Sequence, residues 1–244
     1  MIKVVILAAG KGKRMNDELP KVLVALKNRP MILYLLDSIK KSGIDDKPII
    51  VVSPDNREVI EQALAGYSCE FVVQNEQLGT GHAMACALNA IDAGKYDHII
   101  SFYGDHPLVR AETIKKLAEF PNGVLTMIVP TVPNFDGWYK TFYHWGRILR
   151  SEGKVEAIVE FKDATEEVKE IKEVNPGFYC FETNWLKDNI RKLNNDNAQK
   201  EYYITDLVHI AFEQGIKVGT FPIDPHEAIG INSKEELEIA ESII

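Results

Sequence analysis

The chain has 244 residues, 45% of them apolar, enough to bury one substantial core. Its 36 acidic against 28 basic side chains leave a net charge of −8, which argues against nucleic acid or an anionic membrane as a partner, since both reward a basic face. Three scattered cysteines, Cys69, Cys86 and Cys180, make no metal spacing and point to a reduced, cytoplasmic setting, and no apolar run has the length of a membrane span or the form of a leader.

Residues 4–9 form an apolar run rich in β-branched side chains, which predicts a buried strand of a parallel sheet. The run empties into Gly10 and Gly12, with Lys11, Lys13, Arg14 and Lys21 crowding four cations around the loop. A glycine turn after a strand, studded with positive charge, predicts a place to hold phosphates. It is neither of the two familiar phosphate loops. Counted from Gly10, the dinucleotide fingerprint needs its third glycine and the Walker-type loop its second at position 15, where Met15 stands.

The alternation continues along the chain. A helix is predicted over 30–41 with Gly43 past its end, a strand over 48–53, and a helix over 55–65 closed by Gly66. A strand at 69–74, a small-residue helix over 81–93 and a strand at 98–103 follow. This pattern predicts an α/β fold, a Rossmann-like three-layer and mostly parallel sheet with helices on both faces. Ligands on such sheets lie beyond the carboxyl ends of the strands, where residues 10–14, 74–81 and 103–105 all fall.

Beyond residue 132 the pattern loosens. Segments 148–149, 155–160 and 178–182 read as strands of a less regular sheet, with a Ser151-Glu152-Gly153-Lys154 turn between the first two. Helices are expected over 184–193 and 202–213, and a last one begins at Ser233, with Glu236 at capping-box spacing. No linker rich in Pro, Gly or Ser separates the halves, so 1–244 is read as a single domain, with 1–132 as one half and 133–244 as a lobe over the strand ends.

Several segments together carry a resemblance. They are Leu7-Ala8-Ala9-Gly10-Lys11-Gly12-Lys13-Arg14-Met15 with Pro20-Lys21, Gln74 with Gln77-Leu78-Gly79-Thr80-Gly81-His82-Ala83, and Tyr103-Gly104-Asp105. Later come Gly146-Arg147-Ile148, Glu160 with Lys162-Asp163-Ala164, Asn175-Pro176-Gly177, Glu201-Tyr202-Tyr203-Ile204-Thr205-Asp206 and Gly230-Ile231-Asn232. In this order, over nearly the whole chain, they resemble the sugar-1-phosphate nucleotidyltransferase family. Within it they are most similar to the uridylyltransferase domain of bifunctional N-acetylglucosamine-1-phosphate uridylyltransferases.

The resemblance implies an enzyme that makes UDP-N-acetylglucosamine and pyrophosphate from UTP and N-acetylglucosamine 1-phosphate. It implies that Arg14 and Lys21 contact the phosphates and that the backbone around Leu7, Ala8, Ala9 and Gly10 meets the nucleotide. Gln74, Gly79 and Thr80 resemble the uracil-recognising positions, and Tyr103 and Gly104 the wall of the substrate site. Gly146, Glu160 and Asn175 resemble sugar contacts, which makes 133–244 the sugar-binding lobe. Asp105 resembles a magnesium ligand, with Asn232 reaching the same ion and the substrate from the far end of the chain. Four tempting residues are expected only to pack or cap: His82 beside the glycine loop, His106 beside Asp105, and the pair Tyr202 and Tyr203.

The departures fall on the sugar side. Asn175-Pro176-Gly177 stands where the family has Asn-Thr-Gly, and Trp145 where it has Tyr. The segment from Pro133 to Trp145 is long and aromatic, with Phe135, Trp138, Tyr139, Phe142 and Tyr143. The β-helix acetyltransferase domain of the bifunctional members has no counterpart before Ile244, so acetyl transfer and its trimer are not expected, and a monomer is. Two alternatives stay open: a nucleotidyltransferase using another sugar or alcohol phosphate or CTP, and a nucleotide-sugar-binding regulator without turnover.

Overall fold

The computed structural model of the chain describes residues 1–10, 19–119 and 123–243. In chain order, β1 (Ile2–Leu7) is followed by a short ribbon, β2 (Ala25–Leu26) and β3 (Arg29–Pro30), then α1 (Met31–Ser42), β4 (Ile49–Val52), α2 (Arg57–Ala63), β5 (Glu70–Val73), α3 (Thr80–Leu88), β6 (His98–Tyr103), α4 (Ala111–Glu119) and β7 (Leu125–Pro130). The second half holds β8 (Arg147–Ser151), β9 (Lys154–Val159), α5 (Glu166–Lys169), β10 (Tyr179–Glu182), α6 (Thr183–Asn189), α7 (Asp206–Glu213), β11 (Gly219–Ile223), α8 (Pro225–Ala228) and α9 (Lys234–Ile243).

Seven strands form one sheet in the order β11-β7-β10-β6-β1-β4-β5. All neighbours are parallel except β10, which runs antiparallel to both β6 and β7. The apolar run of β1 has a direct physical reason, because successive side chains leave opposite faces and both faces are covered. Val5 and Leu7 pack with Met84, Leu186 and Leu207 on the side of α3, α6 and α7. Val4 and Ile6 pack with Ile32, Ile60 and Ile114 on the side of α1, α2 and α4. These are the three layers that the strand–helix alternation predicts.

The pattern is wrong about one grouping. Residues 178–182 read as part of the irregular second sheet, yet β10 enters the main sheet between β6 and β7. Of those three segments only the first two, as β8 and β9, pair apart from the main sheet, with a register shift between Leu149 and Arg150. The segment 104–132, to which the pattern assigns nothing, holds α4 and β7, and β11 is likewise unforeseen. Four helices are shorter than their periodicity suggests, and of these the one predicted over 55–65 spans Arg57–Ala63 and the one over 184–193 spans Thr183–Asn189. The one predicted over 81–93 spans Thr80–Leu88, and the one predicted from 202 starts at Asp206. Residues 202–204 are held elsewhere: Tyr202 N–H donates to Leu78 O at 2.8 Å and Ile204 N–H to Thr80 Oγ1 at 3.1 Å.

The aromatic segment folds as a 3-10 turn over Gly137–Phe142. With Trp138, Tyr139 and Phe142 it covers a third, smaller core of Leu26, Met31, Ile229 and Ile231. Arg147 anchors it. This residue is fully buried, and its guanidinium donates to Tyr143 O at 2.8 Å, Lys169 O at 3.0 Å and the Trp145 carbonyl.

Candidate active site

The carboxyl end of β1 lies between β4 and β6, so Ala8, Ala9 and Gly10 emerge at the middle of the sheet. Ala8 N–H continues the ladder to Val51 O at 2.8 Å, and Gly104 N–H binds Leu7 O at 3.0 Å. A side chain on residue 104 would strike Val22, which places Lys21 directly against the strand ends. Arg14 and the cations Lys11 and Lys13 lie outside the described residues.

The first cluster joins residues far apart in sequence. The Lys21 ammonium donates to Asp105 Oδ2 and to Asn232 Oδ1, the latter at 2.9 Å. Asn232 is held in turn, because its backbone N–H donates to Glu236 Oε2, while Glu236 N–H donates to Ser233 Oγ at 3.2 Å. The capping-box spacing is therefore used, with the carboxylate reaching one residue further back than usual. Asp105 Oδ1 is buried without a hydrogen bond, and His106 Nε2 lies 3.6 Å from it. Burial alone would raise the Asp105 carboxyl, but the charge of Lys21, and then His106, hold it below the usual carboxylate range. An orphaned carboxylate oxygen, plus two oxygens already gathered on a cation, is a donor set that fits a hard divalent ion. Among the described residues no group of three or more His, Cys, Asp or Glu side chains could hold a metal, so most of such an ion's shell would come from phosphate and water.

His106 packs as expected. Its Nδ1–H donates to Ala228 O at 2.8 Å, and its ring stands edge-on to Phe178 and Trp145.

A second cluster gathers Tyr103, Thr80, Glu160, Gly146, Asn175 and Thr205. Tyr103 and Thr80 share a hydrogen bond, and Thr205 Oγ1 donates to Glu160 Oε1 at 3.3 Å. Burial first, and the carboxylates of Asp206, Asp163 and Glu201 next, push the Glu160 carboxyl up to about 7, against the opposing Thr205 bond. Gly146 O accepts from Asn175 N–H at 3.0 Å. Asn175 Oδ1 accepts from Gly177 N–H at 3.1 Å and from the Tyr179 hydroxyl at 2.8 Å, so its amide N–H groups remain for another partner. Gly177 takes a φ of 80°, and a Cβ there would collide with the Tyr103 ring, so this turn needs glycine.

The third cluster is Gln74, Gly79 and His82 at the ends of β5 and α3. Gly79 has a φ of 109°, and a Cβ would meet Tyr202 O and Glu201 Cβ. Gly81 N–H donates to Tyr202 O at 2.8 Å. The stretch from Glu201 to Thr205 thus braces the glycine loop and reaches Glu160. Tyr202 and Tyr203 do pack there. His82 does more than cap, because its Nδ1 lies 3.1 Å from Gln74 Nε2.

A cavity of about 1070 Å³ is lined by Glu160, Asn232, Glu236, Tyr143, His144 and Phe161 among others, joining the first two clusters. It touches the first cluster at Asn232 and the second at Glu160, while Lys21, Asp105, Tyr103, Asn175, Gln74 and Thr80 do not line it. Sequence reasoning misses Arg147, Glu236 and Thr205, whose work is to hold other groups. Only the Ser233–Glu236 spacing carried a local signal for any of them.

Comparison with known proteins bears on the same region. The model of the family described as the MobA-like NTP transferase domain matches residues 4–154. A protein of Clostridium novyi named bifunctional protein GlmU is 40% identical over 98% of this chain, which covers 51% of that protein. One of the same name from Caldicellulosiruptor saccharolyticus is 41% identical over 97% of this chain and 50% of its own. The chain thus spans about half the length of the curated relatives it matches. A crystal structure from Bacillus anthracis, assigned as a glucose-1-phosphate thymidylyltransferase, superposes with a TM-score of 0.77 at 18% identity, over 100% of this chain and 95% of that one. At that identity the likeness concerns the fold. Among the described residues, no helix is long and apolar enough to cross a membrane.

Proposed function

This chain belongs to the MobA-like NTP transferase family, and from that premise we propose that it joins UTP to N-acetylglucosamine 1-phosphate, giving UDP-N-acetylglucosamine and pyrophosphate. Residues 1–132 then serve the nucleotide and 133–244 the sugar. A phosphate oxygen of the sugar 1-phosphate attacks the α-phosphorus in line, the bond to the β-phosphate oxygen breaks, and the electron pair leaves with pyrophosphate. The nucleophile is already an anion, so no general base is required, and positioning with charge neutralisation carries the catalysis.

Arg14 grips phosphoryl oxygens through its fork, and Lys21 acts as a point charge that can swing from Asp105 to phosphate. Asp105 and Asn232 would hold a magnesium ion, which neutralises phosphate charge when bound. Leu7 to Gly10 present backbone to the nucleotide, and Gln74, Gly79 and Thr80 meet the base. Tyr103 and Gly104 form the floor between base and sugar. Gly146, Glu160 and Asn175 face the sugar, Glu160 accepting from hydroxyls and Asn175 donating through its amide.

The observation that supports this reading best is the meeting of Lys21, Asp105 and Asn232 at the strand ends, where Asn232 lines the cavity that Glu160 also lines. The relatives named GlmU support the choice of uridylyl transfer and of the N-acetylated sugar. The test is pyrophosphate release measured across four nucleoside triphosphates and a panel of sugar 1-phosphates. UTP with N-acetylglucosamine 1-phosphate is expected to give the highest kcat/KM. A clear preference for another pair replaces the substrates, and no release with any pair removes the enzymatic reading.

A further inference from the structure

The Gln74 amide is fixed from both sides. Its Nε2 donates to Gly79 O at 3.0 Å. A carbonyl oxygen can only accept, so this contact alone settles which end of the amide carries the hydrogens. The same Nε2 lies 3.1 Å from His82 Nδ1. The second amide proton is directed there, so Nδ1 is the accepting nitrogen and the ring proton sits on Nε2, which faces Cys86 Sγ at 3.9 Å. Both donors of Gln74 are consumed inside the protein.

What Gln74 has left is Oε1. Among the described residues this oxygen takes no hydrogen bond, yet it is not one of the buried polar atoms that lack a partner, so it reaches the accessible surface. The residue itself is only 3% exposed, and little else of it can be reached. Gln74 therefore offers a ligand an acceptor and no donor. Its mounting is stiff, because Gln74 N–H is tied to Val52 O and the Gly79–Gly81 loop is stapled to Tyr202.

We infer that His82 is a specificity-positioning residue: by accepting from Gln74 Nε2 it keeps Oε1 turned to the nucleobase, so the pocket takes bases with a donor at N3 and disfavours cytosine. The inference rests on the reading of Gln74 as a base contact. Uracil carries N3–H and pairs with Oε1. Cytosine carries a lone pair at N3, which would face the Oε1 lone pair and leave two acceptors opposed. A site that leaves polar groups mispaired rejects the wrong ligand more strongly than one that only shapes a pocket. Thymine also carries N3–H, so His82 discriminates uracil from cytosine without discriminating uracil from thymine. Without His82 the second amide proton is unpaired and only the Gly79 carbonyl still opposes rotation of the amide, so the turned form that offers its donor is populated more often.

The test compares UTP, dTTP and CTP in the wild type, His82→Leu and His82→Gln, by kcat/KM and by calorimetric binding, which needs no turnover. Gln at 82 restores an acceptor, whereas Leu does not. The expected result is a fall of about tenfold in the UTP-to-CTP ratio for His82→Leu, an unchanged UTP-to-dTTP ratio, and partial recovery in His82→Gln. An unchanged UTP-to-CTP ratio in folded His82→Leu overturns the inference. So does an equal loss for all three nucleotides, which marks a merely structural histidine. Failure of the wild type to turn over UTP with N-acetylglucosamine 1-phosphate strikes the proposed function instead, and the binding ratios still decide the role of His82.

Discussion

The Lys21 ammonium rests on the Asp105 carboxylate and, 2.9 Å away, on Asn232 Oδ1, so an internal cation sits where two oxygen donors converge. A divalent ion and an ammonium cannot share those oxygens without strong repulsion. A divalent ion held there would have to release Lys21, whose side chain would then be free to turn to a phosphate.

The metal predictions follow from that competition. Lys21→Met is expected to bind magnesium or manganese more tightly than the wild type in the absence of nucleotide, by calorimetry or manganese EPR. Its turnover should fall by roughly two powers of ten, the scale for losing one electrostatic group at a reacting centre. Asp105→Asn should weaken metal binding, with partial recovery of rate in excess magnesium, and Asn232→Ala should do so less because it loses a neutral donor. Unchanged metal affinity in all three variants would remove the ion from this place.

Glu160 predicts a pH dependence with a definite sign. Burial, then neighbouring carboxylates, raise its folded-state value to about 7 from the ordinary 4.5, so the folded state prefers the protonated form. Stability from this group is complete below about 4.5 and is lost as pH rises through about 7. Replacing Glu160 by Gln should therefore raise the melting temperature more at about pH 8 than at about pH 5. Function runs the other way. If the ionised carboxylate accepts from sugar hydroxyls, kcat/KM for the acceptor rises through pH 7 in the wild type and loses that step in Glu160→Gln. Asp206, pushed up to about 6 by burial, titrates lower and is left in place by the substitution.

Arg147 predicts a stability effect separable from chemistry. Its guanidinium meets backbone carbonyls of the aromatic segment and of Lys169, and lies 4.6 Å over Phe135. Arg147→Met would leave several carbonyls buried and unpaired at about 1–3 kcal/mol each. Chemical denaturation should register a loss above about 2 kcal/mol. Because the segment it anchors includes Tyr143 and His144 on the cavity wall, the variant should raise KM for the sugar phosphate more than for UTP. Equal effects on both substrates would separate Arg147 from the sugar side.

How much was legible in the sequence follows from which forces are local. β1 announces itself because Val4 to Leu7 must satisfy two apolar cores at once, with polar Lys3 confined to its start beside Asp45. β10 announces itself as a strand and conceals its partners, since pairing antiparallel between β6 and β7 is a long-range choice. α4 carries a regular helical stripe of Ala111, Ile114, Leu117 and Ala118, so its signal was present in the sequence although the strand–helix pattern above passes over it. The start of α7 was misplaced because Tyr202 and Ile204 are claimed by the glycine loop of α3. Motif residues such as Gln74, Asp105 and Asn175 could be named as candidates only through the family resemblance of their segments. What holds them could not: His82 on Gln74, Glu236 on Asn232 and Thr205 on Glu160 are contacts that only the folded chain creates.

The sugar prediction turns on Asn175. Its Oδ1 is spent on Gly177 N–H and the Tyr179 hydroxyl, which keep the turn that passes over Tyr103. Only Nδ2 can serve a substrate, and it can only donate, which suits an acetyl carbonyl or a sugar hydroxyl oxygen. Alanine at this position would destroy the turn and the donor together. Asn175→Asp is the cleaner variant, because it keeps an acceptor for Gly177 and Tyr179 and turns the donor into a second acceptor. With N-acetylglucosamine 1-phosphate as acceptor, kcat/KM should fall by roughly ten- to a hundredfold, as for a mispaired polar contact. Glucose 1-phosphate should lose less if Nδ2 meets the acetyl oxygen, so the preference between the two sugars should shrink. In the wild type that preference is expected to be modest, since Pro176 offers no backbone N–H and apolar contact with a methyl is worth only about 1–3 kcal/mol. An equal loss for both sugars in Asn175→Asp would move Nδ2 to a ring hydroxyl, and no loss for either would take Asn175 out of the site.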